Sequence, residues 1–240
     1  MPNPTRAVWI RLGADGQREL RRLAARWRCH PAALLAVVEV ESNGHVFAAV
    51  NGRREPLIRF EGHYFHRRIG DEALERAERA GLAHPTPQAV PNPPDQPARW
   101  AMLARAEAID RRAARESCSW GLGQVMGAHW RRLGYACVDA LVDEARRGAD
   151  GQLALMARFI GDAGLEEALR GGDWHRFARA YNGANYARWG YHLKMEAAFE
   201  RGCGLDLAAP PRAAPGRRSP FGPAGWGVAL VGWLLNRLRR

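Results

Sequence analysis

The segment Leu34-Leu35-Ala36-Val37-Val38-Glu39-Val40-Glu41 constrains this chain most, because it is almost wholly apolar yet ends on a carboxylate, directly before Ser42-Asn43-Gly44. Written as a helix over residues 31–42, it brings Leu34, Val37, Val38 and Glu41 to positions i, i+3, i+4 and i+7, on one face. That face is apolar everywhere except at Glu41, whereas Glu39 points the other way, with Ala32, Ala36 and Asn43. A carboxyl on a core-facing stripe is costly to ionise, which raises its pKa and suits it to general acid work near neutral pH. The competing reading is a frayed helix end whose carboxylate reaches solvent. The segment alone leaves both open.

The rest of the chain reads as mainly α with a little β. Asp15 is placed to cap a first helix running to about Cys29, after a lead-in of residues 1–17. Pro31 suits the first position of the helix that carries Glu41. Residues 46–50 and 56–60, separated by a segment containing Asn51-Gly52, read as a small β-hairpin, since Asn-Gly tolerates the positive φ of such turns. Helices are expected at 62–69 and 71–81. Residues 84–97 hold six prolines and exclude regular structure, and so long a loop in a compact domain suits a wall or lid over a groove. Further helices are expected at 98–116, 122–132, 138–147, 151–162, 165–170, 173–181 and 185–200, with Asp150 and Asp173 as caps.

Charge divides the chain unevenly. The total is +11, but the stretch from Pro210 onward holds six arginines and no acid, leaving 30 basic against 25 acidic residues before it. A basic body with a more basic tail suits an anionic polymer or a membrane surface, while solubility alone is the plain alternative. No helix-turn-helix or aromatic-basic motif points to nucleic acid. Residues 203–220 read as a Pro/Ala/Arg-rich linker, and 221–240 as an apolar-basic segment. That segment can be an interfacial anchor, a span or a helix docked on the domain. Cys29, Cys118, Cys137 and Cys203 lack metal-ligand spacing and read as isolated, mostly buried thiols, with two disulfides in an oxidising compartment as the alternative. No metal or cofactor is expected. The N-terminus lacks the apolar core of a cleavable signal, so synthesis in the cytoplasm is expected.

Three short segments carry the chemistry: Glu41-Ser42-x-Gly44, Ser119-Trp120-Gly121-Leu122-Gly123-Gln124, and Tyr181-Asn182-Gly183 followed by Tyr186 and Tyr191. A glutamate ending a buried helix, a Gly-rich Gln segment and an aromatic-amide turn together equip a cleft that binds and breaks a polysaccharide. In this order they resemble the shared core of goose-type lysozymes and soluble lytic transglycosylases. With Phe60-Glu61-x-His63, His84-Pro85, residues 106–110, Met126-Gly127 and Phe177, the chain is similar to the bacteriophage-type N-acetylmuramidase domain of modular endolysins, over about residues 18–202.

The resemblance implies a lysozyme-like, largely helical fold acting as a monomer on peptidoglycan glycan strands in the periplasm, and hydrolysing the β-1,4 bond between N-acetylmuramic acid and N-acetylglucosamine. It makes Glu41 the general acid and Glu61 the second carboxylate, with a salt bridge to Arg59 or Arg67 as the structural reading of Glu61. Ser119, Gln124, Tyr181, Asn182 and Tyr186 become substrate contacts, and His63 an orienting group for Glu61. Gly62 departs from the family, which usually has Arg there. The alternatives are a lytic transglycosylase, leaving 1,6-anhydromuramyl ends, and a non-catalytic wall-binding protein. Association of residues 221–240 with the inner membrane is a further expectation.

Overall fold

The computed structural model describes residues 3–207. Asn3 opens this region as a cap, accepting hydrogen bonds from the Thr5 and Arg6 N–H groups (3.0 and 3.3 Å). Helices α1 (Pro4–Arg11) and α2 (Gly13–Trp27) follow. The stretch read as a lead-in is therefore helical, with Val8 and Leu12 in the core, and Asp15 lies inside the first turn of α2 instead of capping it. Helix α3 (Pro31–Ser42) starts at Pro31 with the His30 ring accepting the Ala32 N–H.

All seven residues from Ala32 to Val38 are buried, so α3 is enclosed all round and not only on the face of Leu34, Val37 and Val38. Glu39, on its other side, is tied to Arg201 at 2.6 Å. The helix stops one residue after Glu41. Asn43 (φ 52°) and Gly44 (φ 70°) are both left-handed, and their N–H groups return to the carbonyls of Glu39 and Val38. Gly44 is required twice over, since a Cβ there would lie 2.7 Å from Val8 Cγ1 of α1.

The hairpin pairs differently from the expectation. Strand β1 (Phe47–Val50) turns at Asn51-Gly52 into β2 (Arg53–Pro56). Residues 58–60 instead form β3 (Ile58–Phe60), which joins β4 (Cys118–Trp120) and β5 (Val125–Met126) in a separate antiparallel sheet of order β3-β4-β5. Its register sets Arg59 opposite Ser119, and Ser119 opposite Met126. Alternation then turns these three to one face and Ile58, Phe60, Cys118 and Trp120 to the core.

The free edge of β3 is paired by side chains. Asn92 accepts from the Phe60 N–H (2.9 Å) and donates to the Phe60 carbonyl (2.6 Å), and Gln96 repeats the arrangement at Ile58 (2.9 and 3.2 Å). The Pro-rich loop is thereby fastened alongside the sheet. Gly62 completes the fit, because a Cβ there would lie 2.4 Å from Val90 Cγ2 and 3.1 Å from the Leu82 carbonyl. An arginine at this position has no room.

Helices α4 (Gly62–His66), α5 (Asp71–Arg79) and α6 (Gln96–Glu116) frame this loop. Helix α6 breaks at Asp110 (φ −152°, ψ 105°), whose carboxylate then accepts the Ala113 N–H and caps the remainder. The helix expected over 122–132 is replaced by β5 and a 3-10 turn, Gly127–His129. The chain continues as α7 (Val138–Arg147), α8 (Ala149–Asp162), α9 (Glu166–Gly171), α10 (Trp174–Asn182) and α11 (Tyr191–Cys203). Asp173 caps α10 through the Arg176 N–H, as expected. Asp150 does not cap α8, which begins at Ala149, and pairs with Arg147 instead.

Two apolar clusters result. One surrounds α3 and includes parts of α2, α8, α10 and α11, reaching to Leu207, past the expected domain end at 202. The other lies between the sheet, α6 and α7, and Tyr181 packs against both. All four cysteines are free, with Cys118 buried but Cys137 and Cys203 exposed, contrary to the expectation of mostly buried thiols. Among the described residues no helix is long and apolar enough to cross a membrane. The linker beyond 207 and the apolar-basic segment 221–240 lie outside the described residues.

Candidate active site

A cleft of about 940 Å³ opens between the two clusters. The end of α3 delivers Glu41, the end of β3 delivers Arg59 and Glu61, and α4 adds His63 and Tyr64. The Pro-rich loop contributes Pro87 and Gln88, and the α10–α11 connection contributes Asn182, Trp189 and Tyr191.

Glu41 is partly buried in the cleft wall. Its Oε1 accepts a hydrogen bond from Asn182 Nδ2 at 2.7 Å, and no cation pairs with it among the described residues. Burial pushes its pKa up to about 7, partly opposed by the Asn182 hydrogen bond. Protonated near neutrality and facing a groove, it has the properties required of a general acid.

Glu61 is held differently. Arg59 Nε donates to its Oε1 at 2.9 Å, and His63 Nδ1 lies 3.6 Å from Oε2, beyond hydrogen-bond reach. Burial lowers the His63 pKa despite the nearby Glu61 charge, and Arg67 and Arg68 lower it further. The Arg59 ion pair expected of a structural Glu61 is thus present, while the residue also faces the cleft.

Of the other residues singled out in the sequence, Ser119, Gln124, Tyr181 and Asn182 all line this cleft. Their hydrogen bonds, however, run mostly within the protein. Ser119 Oγ donates to Gln124 Oε1 (2.9 Å), Gln124 Nε2 donates to the Gly121 carbonyl (2.8 Å), and Tyr181 donates to the Gly123 carbonyl (2.6 Å). Gln124 also adopts φ 46°, a left-handed conformation that is uncommon outside glycine. The Gly-x-x-Gln segment therefore locks the β4–β5 turn, and Tyr181, stacked on Phe177 at 5.2 Å, braces it from α10. Tyr186 is not in the cleft. It bonds the His175 ring at 3.3 Å and packs edge-on against His192.

The structure adds residues that sequence reasoning passed over. Trp189 is 49% exposed on the cleft rim and offers an aromatic platform of the kind sugars stack on. Its signal was the aromatic density between Tyr186 and Tyr191. His129 stacks on Phe159 at 5.2 Å, and burial with Arg132 nearby lowers its pKa to about 4, so it lines the cleft as a neutral ring. Arg59 was legible as the one outward position between Ile58 and Phe60. Among the described residues no cluster of His, Cys, Asp or Glu could hold a metal ion.

Residues 30–202 match the family described as Muramidase, N-acetylmuramidase. No curated protein matches the chain. Among solved structures, a Burkholderia AP3 phage endolysin is similar, with 34% sequence identity, a TM-score of 0.66, and coverage of 79% of this chain and 71% of that one. Since the matched span covers most of the sequence and encloses both carboxylates with every residue around them, the chain belongs to the N-acetylmuramidase family.

Proposed function

We propose that this peptidoglycan-degrading glycoside hydrolase cleaves the β-1,4 bond between N-acetylmuramic acid and N-acetylglucosamine, with Glu41 as general acid and Glu61 as general base. The observation that carries this reading is the uncharged, enclosed environment of Glu41, which keeps its proton to about pH 7. That proton passes to the glycosidic oxygen as the bond from the sugar C1 breaks. A water positioned by Glu61 adds to C1 and gives its proton to the Glu61 carboxylate. Arg59 orients Glu61, Asn182 orients Glu41, and Ser119, Gln124 and Tyr181 hold the backbone against which the sugars lie.

One observation favours a lytic transglycosylase instead. The Glu61 carboxylate is already engaged by Arg59, so Glu41 could act alone, first as acid and then as base. Mass spectrometry of digested glycan strands separates the two. Hydrolysis yields reducing muramyl ends, whereas transglycosylation yields 1,6-anhydro ends lighter by one water. We expect reducing ends, with activity falling about a thousandfold in Glu41→Gln and about a hundredfold in Glu61→Gln. Anhydro ends, or full activity in Glu41→Gln, would overturn the reading.

A further inference from the structure

Three arginines line the cleft: Arg59, Arg99 and Arg132. Arg59 is paired with Glu61 and Arg132 with Asp162, at 2.9 and 3.0 Å. Arg99 has no carboxylate within ion-pair distance among the described residues. Its guanidinium is fixed by two backbone carbonyls, with Nε donating to Pro93 (2.8 Å) and Nη1 to Ile58 (3.2 Å). Nη2 has no hydrogen-bond partner among the described residues, so its donors remain for a ligand.

This cation is built in. It stands in the first turns of α6, on the segment that Asn92 and Gln96 fasten to β3, one strand position from Arg59. Burial and the neighbouring Arg59 charge both disfavour its positive form, and Asp95, whose carboxylate caps the Ala98 N–H, offsets them only in part. A half-buried, pre-oriented guanidinium without an anion gains from a carboxylate supplied by substrate, and its planar fork can bind one in bidentate fashion.

Peptidoglycan differs from uncharged β-1,4 glycans in its muramyl carboxylates, on the stem peptide or, where the peptide is absent, on the lactyl group itself. We propose that Arg99, with Arg59 beside it, forms a subsite for a carboxylate carried by the muramyl residue. This makes Arg99 a specificity residue, and it rests on the muramidase reading above. Pro87 and Gln88 would then wall this end of the groove.

The test compares kcat/KM on three preparations of glycan strand: peptide-bearing, peptide-bearing with every carboxyl capped as a methylamide, and amidase-stripped. Wild type is expected to prefer native over capped strands by about tenfold, the effect of one charge-assisted pair. In Arg99→Gln that ratio should fall to near one. In Arg53→Gln, which removes an exposed charge of the β1–β2 hairpin, it should stay at the wild-type value. Stripped strands that behave like native ones show that the freed lactyl carboxylate also fills the subsite, and stripped strands that behave like capped ones restrict it to stem-peptide carboxylates.

A measurement on wild type guards against misfolding of the variant. In nitrogen-15 spectra the Arg99 Nε–H should shift with N-acetylmuramyl-alanyl-glutamate and not with its methylamide. Equal cleavage of native and capped strands, or equal loss of preference in Arg53→Gln and Arg99→Gln, would overturn the subsite. Reducing ends in the same digests would leave the muramidase reading standing, whereas absence of cleavage in every wild-type digest would remove that reading instead.

Discussion

Glu41 and Glu61 enter one cleft from two unlike neighbourhoods. Glu41 ends a helix enclosed on all sides, meets one neutral amide and keeps its proton to about pH 7. Glu61 ends an edge strand and sits in an ion pair with Arg59, near His63. The side chains are chemically identical, so what separates them is their surroundings, a dry helical lobe around Glu41 and a polar sheet lobe around Glu61, and the roles proposed for them rest on that difference. Even Glu39, two residues before Glu41, shows the rule, since it turns away from the cleft to pair with Arg201.

The contrast can be broken from the helical side first. Among the described residues Asn182 makes the one hydrogen bond that stabilises the Glu41 anion, so Asn182→Ala should raise the Glu41 pKa further. If Glu41 is the acid proposed, activity should fall as pH rises through about 7, and in the variant that alkaline limb should move to higher pH. Loss of orientation should also lower kcat/KM about tenfold at the optimum. A pH–rate profile whose limb stays in place would show that Glu41 does not set it.

From the sheet side the effect is smaller. Gly62→Ala forces a Cβ against Val90 and the Leu82 carbonyl, and should cost about 2 kcal/mol in chemical denaturation while lowering kcat several-fold. Its alkaline limb should not move, because Glu41 is untouched. Gly70→Ala is the steric control, since nothing lies within 4 Å of the added carbon, and should cost no more than about 1 kcal/mol, from the weaker N-cap of α5.

Local signals were easiest to read in the helical lobe. Pro31, the apolar run after it, and the Asp173 cap locate α3 and α10 because helix starts depend on nearby residues. The sheet was harder. Strand β2 is Arg-Arg-Glu-Pro, with no apolar alternation to announce it, and β3 finds its partner 60 residues away in β4. Such pairings are chosen by the core and not by propensity. The expected helix at 122–132 gave way to the Trp120–Val125 pairing, which needs Gln124 left-handed.

The site divides in the same way. Glu41, Glu61 and Asn182 stood out because each sits in a short contiguous motif. Arg99 and Trp189 did not, because a loop and a connection bring them to the cleft from elsewhere in the chain. Tyr186, close to Asn182 in sequence, faces a different side, beside His175 and Arg179, although residues 183–185 before it and Trp189 and Tyr191 after it line the groove.

The central claim is that burial, and nothing bound, holds the Glu41 carboxyl protonated at neutral pH. A carbon-13 NMR titration of the glutamate carboxyls, with Glu41 assigned by its disappearance in Glu41→Gln, measures this directly. The account predicts a midpoint near 7 for that one resonance. A midpoint near the ordinary value of 4.5 would contradict it.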